Sequence, residues 1–191
     1  GDLWVGTRQG FSHFDGSRFT TYTTKDGLSN YFVQSIFESP DGTFWIGTDS
    51  GGLNRFKDGH FRTYSEHDGF SSHVLWSIAG DVTGTIWLGT DGGGLYRLRK
   101  GKFTNYGPRQ GLPDDTFVRI LDDQRGNLWL SSNKGIFSVA KKQFDDFDTG
   151  RIDKIAAATY GVRDGMKSHE CNGGFQPAGW RTKDGKLWFP T

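Results

Sequence analysis

GTFWIGT at residues 42–48 returns as GTIWLGT at 84–90 and, with small changes, as GDLWVGT at 1–7. GNLWLSS at 126–132 and GKLWFPT at 185–191 are weaker copies. The shared tryptophans Trp4, Trp45, Trp87, Trp129 and Trp188 are 41, 42, 42 and 59 residues apart. The sequence between them repeats as well. A Gly turn opens an apolar alternation, GGLNRF at 51–56 and GGLYRL at 93–98. Aromatic pairs follow: Phe19 and Tyr22, Phe61 and Tyr64, Phe103 and Tyr106. Next comes Asp26-Gly27-Leu28, matched by Asp68-Gly69-Phe70, Gln110-Gly111-Leu112 and Asp164-Gly165-Met166. The unit closes on a run such as VQSIFES at 33–39 or VRILDD at 118–123.

Each unit thus holds four short runs with period-2 alternation, separated by Gly and Asp turns, which is the pattern of a four-stranded antiparallel meander. A helical reading fails, because glycine recurs every few residues and costs about 1 kcal/mol each time relative to alanine. Four strands repeating at roughly 40–45 residues are the sequence form of a propeller blade. The expected fold is all-β: a propeller of four-stranded antiparallel blades with about four repeat units. Counted from the tryptophan strand, the units are 1–41, 42–83, 84–125 and 126–184, with the start of a fifth at 185–191. We label the strands A (VQSIFES), B (the tryptophan run), C (after the Gly turn) and D (the aromatic pair). The chain starts and stops inside strand B, so a piece of a larger propeller is expected, with open sheet edges that invite pairing.

The composition fits short strands and tight turns: 29 Gly and 29 aromatic residues among 191, with 34% hydrophobic residues. The core must rest on large rings, each burying roughly 150–250 Å². The formal net charge is +1 with no basic face, which argues against a nucleic-acid partner. Arg97, Arg99, Lys100 and Lys102 straddle Gly101 and are expected to be a solvated hairpin turn. The lone Cys171 builds neither a disulfide framework nor a cysteine zinc site. No run approaches 18 apolar residues.

The fourth unit breaks the period with about 13 extra residues between Phe137 and Tyr160. KKQFDDFDTGRIDK at 141–154 is expected to hold a short surface helix, with Asp145, Asp146 and Asp148 on a solvated face, since they lack the spacing of a calcium loop. The tryptophans are expected to pack between blades. Thr48 and Thr90 are expected to hydrogen-bond across to the next blade.

Binding residues sit on loops of a rigid scaffold. The B–C and D–A connections share one end of the blades, and the D–A loops differ most between units. Candidate ligand contacts are Asn30, Tyr31, His73, Asp115, His169, Glu170, Asn172 and Gln176 on D–A loops, with Arg8, Asp49, Asp91 and Asn133 on B–C loops. Such a polar and aromatic rim suits a small polar ligand or a peptide. His73, His169 and Glu170 lack a third ligand at metal spacing and are read as hydrogen-bonding groups. No catalytic residue, metal or cofactor is expected.

The order Asp-Gly-Leu, Gly-x-Leu-Trp-Ile-Gly-Thr, Gly-Gly-Leu resembles the two-component regulator propeller repeats of bacterial sensors, over essentially the whole chain. Ser131-Ser132 and Phe189-Pro190 depart from it. The resemblance implies seven-bladed propellers in the extracytoplasmic, periplasmic region of an inner-membrane receptor. It also implies a fused output domain, a histidine kinase or diguanylate cyclase, and leaves room for a homodimer. Some relatives sense carbohydrate fragments. The expected function is ligand sensing without catalysis. A propeller-scaffold lyase or hydrolase and a protein-interaction scaffold are the alternatives, because a fold alone decides no function.

Overall fold

Every tryptophan run is a strand hydrogen-bonded to its sequence neighbours. The structure, a computed structural model, describes residues 2–171, 173 and 177–191. Its strands form five antiparallel sheets. The first blade holds β1 (Leu3–Thr7), β2 (Gly10–Phe14) and β3 (Phe19–Tyr22). The second holds β4 (Val33–Glu38), β5 (Phe44–Thr48), β6 (Gly52–Lys57) and β7 (His60–Tyr64). The third holds β8 (Leu75–Gly80), β9 (Ile86–Thr90), β10 (Leu95–Arg99) and β11 (Lys102–Tyr106). The fourth holds β12 (Arg119–Asp122), β13 (Asn127–Ser132), β14 (Gly135–Ala140) and β15 (Ala158–Tyr160), with helix α1 (Lys141–Asp148) between its last two strands. The fifth sheet is β16 (Trp180–Arg181) and β17 (Leu187–Trp188). Within each blade the strands lie in chain order, the meander that the alternation predicts.

The turns explain the recurring polar letters. In the A–B turns an aspartate gathers the backbone ahead of it: Thr43 N donates to Asp41 Oδ1 (3.1 Å), Thr83 N to Asp81 Oδ1 (2.9 Å) and Arg125 N to Asp123 Oδ1 (2.7 Å). The Asp-Gly-Leu motif is a single 3-10 turn. Asp26 Oδ2 accepts from Thr23 N at 2.7 Å, and Gly27 then turns at φ 105°, a conformation costly for any side chain. The next residue drops into the core: Leu28, Phe70 and Leu112 are each buried.

Neighbouring blades touch first along their A strands, as they converge on an axis. There Ser35 Oγ donates to Leu75 O at 3.1 Å, and Ile120 N donates to Ser77 Oγ at 3.0 Å. These serines do the work expected of Thr48 and Thr90. The threonines instead donate to Gly52 O (3.1 Å) and Gly94 O (2.7 Å) and lock their own B–C turns, because each Oγ1 lies within reach of the carbonyl four residues on.

Trp45 and Trp87 are buried at blade contacts, as expected. Trp45 packs with Ile78, Ile86, Leu98 and Phe103 of the third blade. Trp188 does not follow: it is 61% exposed, because the strand pair it belongs to carries no outer strands over it.

Helix α1 corrects two expectations. It is not a surface helix with a solvated acidic face. Phe144 is fully buried and stacks against Trp87 (4.7 Å) and Tyr106 (4.9 Å). Two of its aspartates meet the third blade: Arg97 Nη1 donates to Asp145 Oδ1 at 2.8 Å, Arg97 Nη2 donates to Asp148, and Arg99 Nη1 reaches Asp145 at 2.7 Å, while Asp146 pairs with Lys142 and Arg151. Tyr106 Oη donates to Asp148 at 3.0 Å. So the basic run is not wholly a solvated turn either. Lys100 and Lys102 are exposed, but Arg97 is 6% exposed beneath the helix. A buried guanidinium needs paired carboxylates, and Asp145 and Asp148 supply them to Arg97.

Candidate functional site

The B–C and D–A loops do share one end. They interlock through backbone bonds: Asp49 N donates to Phe32 O (2.9 Å), Gly52 N to His73 O (2.9 Å), Asp91 N to Val74 O (3.3 Å) and Gly94 N to Asp115 O (2.6 Å). Asp49, His73, Asp91 and Asp115 thus sit on loops tied together by backbone bonds. Asn30 is half-buried, its Oδ1 accepting from Phe32 N at 2.8 Å, while Tyr31 stands 59% exposed beside it. Asp49 is half-buried; His73, Asp91, Asp115, Asn133, His169 and Glu170 are exposed. His169 lies against Gly161, where an added Cβ would come within 2.7 Å of the ring. Glu170 N donates to Ser168 Oγ at 3.0 Å. Asn172 and Gln176 lie outside the described residues.

The loop end offers hollows beside the second and third blades. A hollow of about 330 Å³ beside Ser50, His67 and His73 serves the second blade, and one of about 320 Å³ beside Gly93, Arg109 and Asp115 serves the third. Asp114 is the residue that the sequence reading passed over. It is buried next to the exposed Asp115, and Lys134 Nζ donates to its Oδ1 at 2.9 Å. Burial works against its charge, yet hydrogen bonds from Ser132 and Lys134 prevail and hold the carboxyl below the usual range. That pair ties the loop of Asp115 to the loop of Asn133. Among the described residues no His, Cys, Asp and Glu cluster is arranged to hold a metal ion.

Somewhat larger grooves lie in the slots between blades. One of about 400 Å³ runs beside Trp45, Arg55 and Val82. Another of about 410 Å³ runs beside Trp129, Tyr160, Asp123, Arg125, Asp164 and Phe189. Trp129 and Tyr160 stack at 5.4 Å and give the second groove an aromatic wall with charged groups at its rim. The two lie two repeats apart and share a feature: the tryptophan Nε1 donates to Ser39 Oγ (2.9 Å) in one and to Asp123 Oδ2 (3.4 Å) in the other.

A family model described as the two component regulator propeller matches residues 27–50 and 111–134. Each stretch runs from the glycine of the 3-10 turn through strands A and B to the B–C turn. At these two stretches the chain carries two component regulator propeller repeats. Among solved structures, it is similar to the extracellular domain of the hybrid two component system BT3049 from B. thetaiotaomicron, at 26% identity and a TM-score of 0.78, covering 98% of this chain and 25% of that one. The extracellular domain of the one component system BT4673 from the same organism matches at 21% identity and a TM-score of 0.74, covering 98% of this chain and 27% of that one. The repeats here therefore span about a quarter of the length of those domains. Virginiamycin B lyase from Staphylococcus aureus shares the fold at 17% identity and a TM-score of 0.67, covering 100% of this chain and 59% of the lyase. No curated protein matches. No helix among the described residues is long and apolar enough to cross a membrane.

Proposed function

We propose that these repeats are a ligand-sensing segment of the extracytoplasmic, periplasmic region of a bacterial two-component-type receptor anchored in the inner membrane. The observation that carries this reading is the match to the extracellular domain of a hybrid two component system over 98% of the chain, together with the two repeat matches. The ligand is a small polar molecule, carbohydrate or peptide, met by the loop end where Asn30, Tyr31, Asp49, His73, Asp91, Asp115, Asn133, His169 and Glu170 project. Its binding energy biases blade packing or the geometry of a homodimer, and through that a fused output domain. A ligand shifts such an equilibrium only by its difference in affinity for the two states.

In this reading the chain performs no catalysis. The lyase likeness supports a shared scaffold alone, since sites and not folds set chemistry. The test uses the full-length receptor with a library of sugars and peptides, reading output-domain activity and ligand turnover together. A ligand that changes output and is recovered unaltered supports the proposal. Turnover that disappears on changing His73, His169 or Glu170 to alanine would replace it with an enzyme.

A further inference from the structure

The A strands carry one residue per blade that faces the following blade: Ser35, Ser77 and then Arg119. The register fixes the equivalence, because Ser35 pairs with Gly47, Ser77 with Gly89 and Arg119 with Ser131. The two serines bond to the next A strand, as described above. Arg119 cannot repeat that bond. Its stem lies instead against the fifth sheet, where Gly179 stands in the place held by Ile36, Ile78 and Ile120 in the other blades. A Cβ on Gly179 would come within 3.2 Å of Arg119 Cγ. A small residue has therefore replaced a large one, and a large residue a small one, across a single slot.

This exchange solves the volume and leaves the charge. Arg119 is 7% exposed, and its Nε and Nη1 have no hydrogen-bond partner. Ser131, opposite it in the register, is fully buried, and its Oγ is unpartnered too. No carboxylate pairs with Arg119 among the described residues. Burial also pushes its pKa below the ordinary guanidinium value. An unpaired buried cation is among the most costly features a core can hold. An unpartnered guanidinium and an unpartnered hydroxyl, set opposite each other on adjacent strands, are donors of the kind that take a planar or tetrahedral oxyanion.

We propose that Arg119 and Ser131 form an oxyanion-binding site between the fourth and fifth blades, and that it takes a carboxylate or sulfate group of the ligand. The inference deepens the sensor reading by naming a chemical class of ligand. The site lies on inner strands, near the axis on which the blades converge.

The test titrates the 191-residue chain with sodium sulfate and with sodium glucuronate, using sodium chloride to hold ionic strength constant and glucose as the neutral control. The readouts are the thermal midpoint and the nitrogen NMR shift of Arg119 Nε. A saturable rise in midpoint with one oxyanion, a moved Nε resonance and no response to glucose are expected. The sulfate and glucuronate arms distinguish the two groups. Arg119→Gln removes the unpaired charge, so it should fold, melt no lower than the parent without anion, and bind about tenfold or more weakly with it. Ser131→Ala should weaken binding less. An anion response equal in Arg119→Gln and the parent would overturn the proposal. So would the absence of any anion response in the parent, whatever the midpoint of Arg119→Gln, which would make Arg119 a packing residue. Either failure leaves the sensor reading intact, since that reading falls only if the full-length receptor ignores every ligand or turns one over.

Discussion

The slot beside Trp45 and the slot beside Trp87 are built from the same repeat, yet one is an open groove and the other is filled. In the first, Phe103 of the third blade's strand D comes over to Tyr64 at 5.4 Å, and Arg55 is left half-buried at the rim. In the second, strand D of the fourth blade is only Ala158–Tyr160 and brings no such ring. Phe144 takes that place from helix α1, and Ile155 closes over the 3-10 turn, its carbonyl oxygen 2.2 Å from where a Cβ on Gly111 would stand. The extra residues of the fourth unit are thus a replacement for a missing aromatic side chain. They also bring a set of charges that recruits Arg97, the counterpart of Arg55.

The sharpest way to break this comparison is Phe144→Ala. If the helix plugs the core, truncating a fully buried ring should cost about 3–5 kcal/mol in urea unfolding. A cost under about 1 kcal/mol would return α1 to the surface helix that its polar composition suggests.

That composition shows where the sequence was legible and where it was not. Strand identity, the Asp-Gly-Leu turns and the burial of Trp45 and Trp87 follow from spacing alone, because period-2 alternation and positive-φ glycines are local properties. The fate of Asp145 and Asp148 is not local. Whether an acidic residue meets water or Arg97 depends on a partner 48 or 51 positions away, and nothing in KKQFDDFD names it. The candidate site divides the same way. Loop membership is readable from the repeat, and Asp115 and Asn133 do lie on the loops it assigns them. The buried pairing of Asp114 with Lys134 is not readable, because it spans two loops. Arg119 had a readable signal, the replacement of a serine at the fixed A-strand position, matched by glycine for isoleucine at 179.

Next in size is Arg97→Met against Arg55→Met. Methionine keeps much of the buried stem but leaves Asp148 without its cation and Asp145 with Arg99 alone. The loss should be about 2–4 kcal/mol, below the range for a fully buried pair because Asp145 is 45% exposed and can still be hydrated. At the open slot the same change should stay within about 0.5 kcal/mol. Equal losses at the two sites would mean that filling the slot adds nothing to the value of the charge.

The smallest effect probes the rim of the open groove by pH. Hydrogen bonds from Lys57 and Thr43 hold the Asp41 carboxyl at about 2, below its ordinary 3.8. A carboxyl depressed by folding stabilises the protein when ionised. The contribution is therefore complete above about pH 4 and is lost as the pH falls towards 2. Asp41 is 58% exposed, so solvent screening keeps its share below about 1 kcal/mol. Asp41→Asn should flatten the fall in stability between pH 4 and pH 2 by that amount and leave neutral-pH melting of the Trp87 slot unchanged. A variant that falls as steeply as the parent would show that the turn aspartate orders its backbone without contributing charge, and that acid lability begins elsewhere.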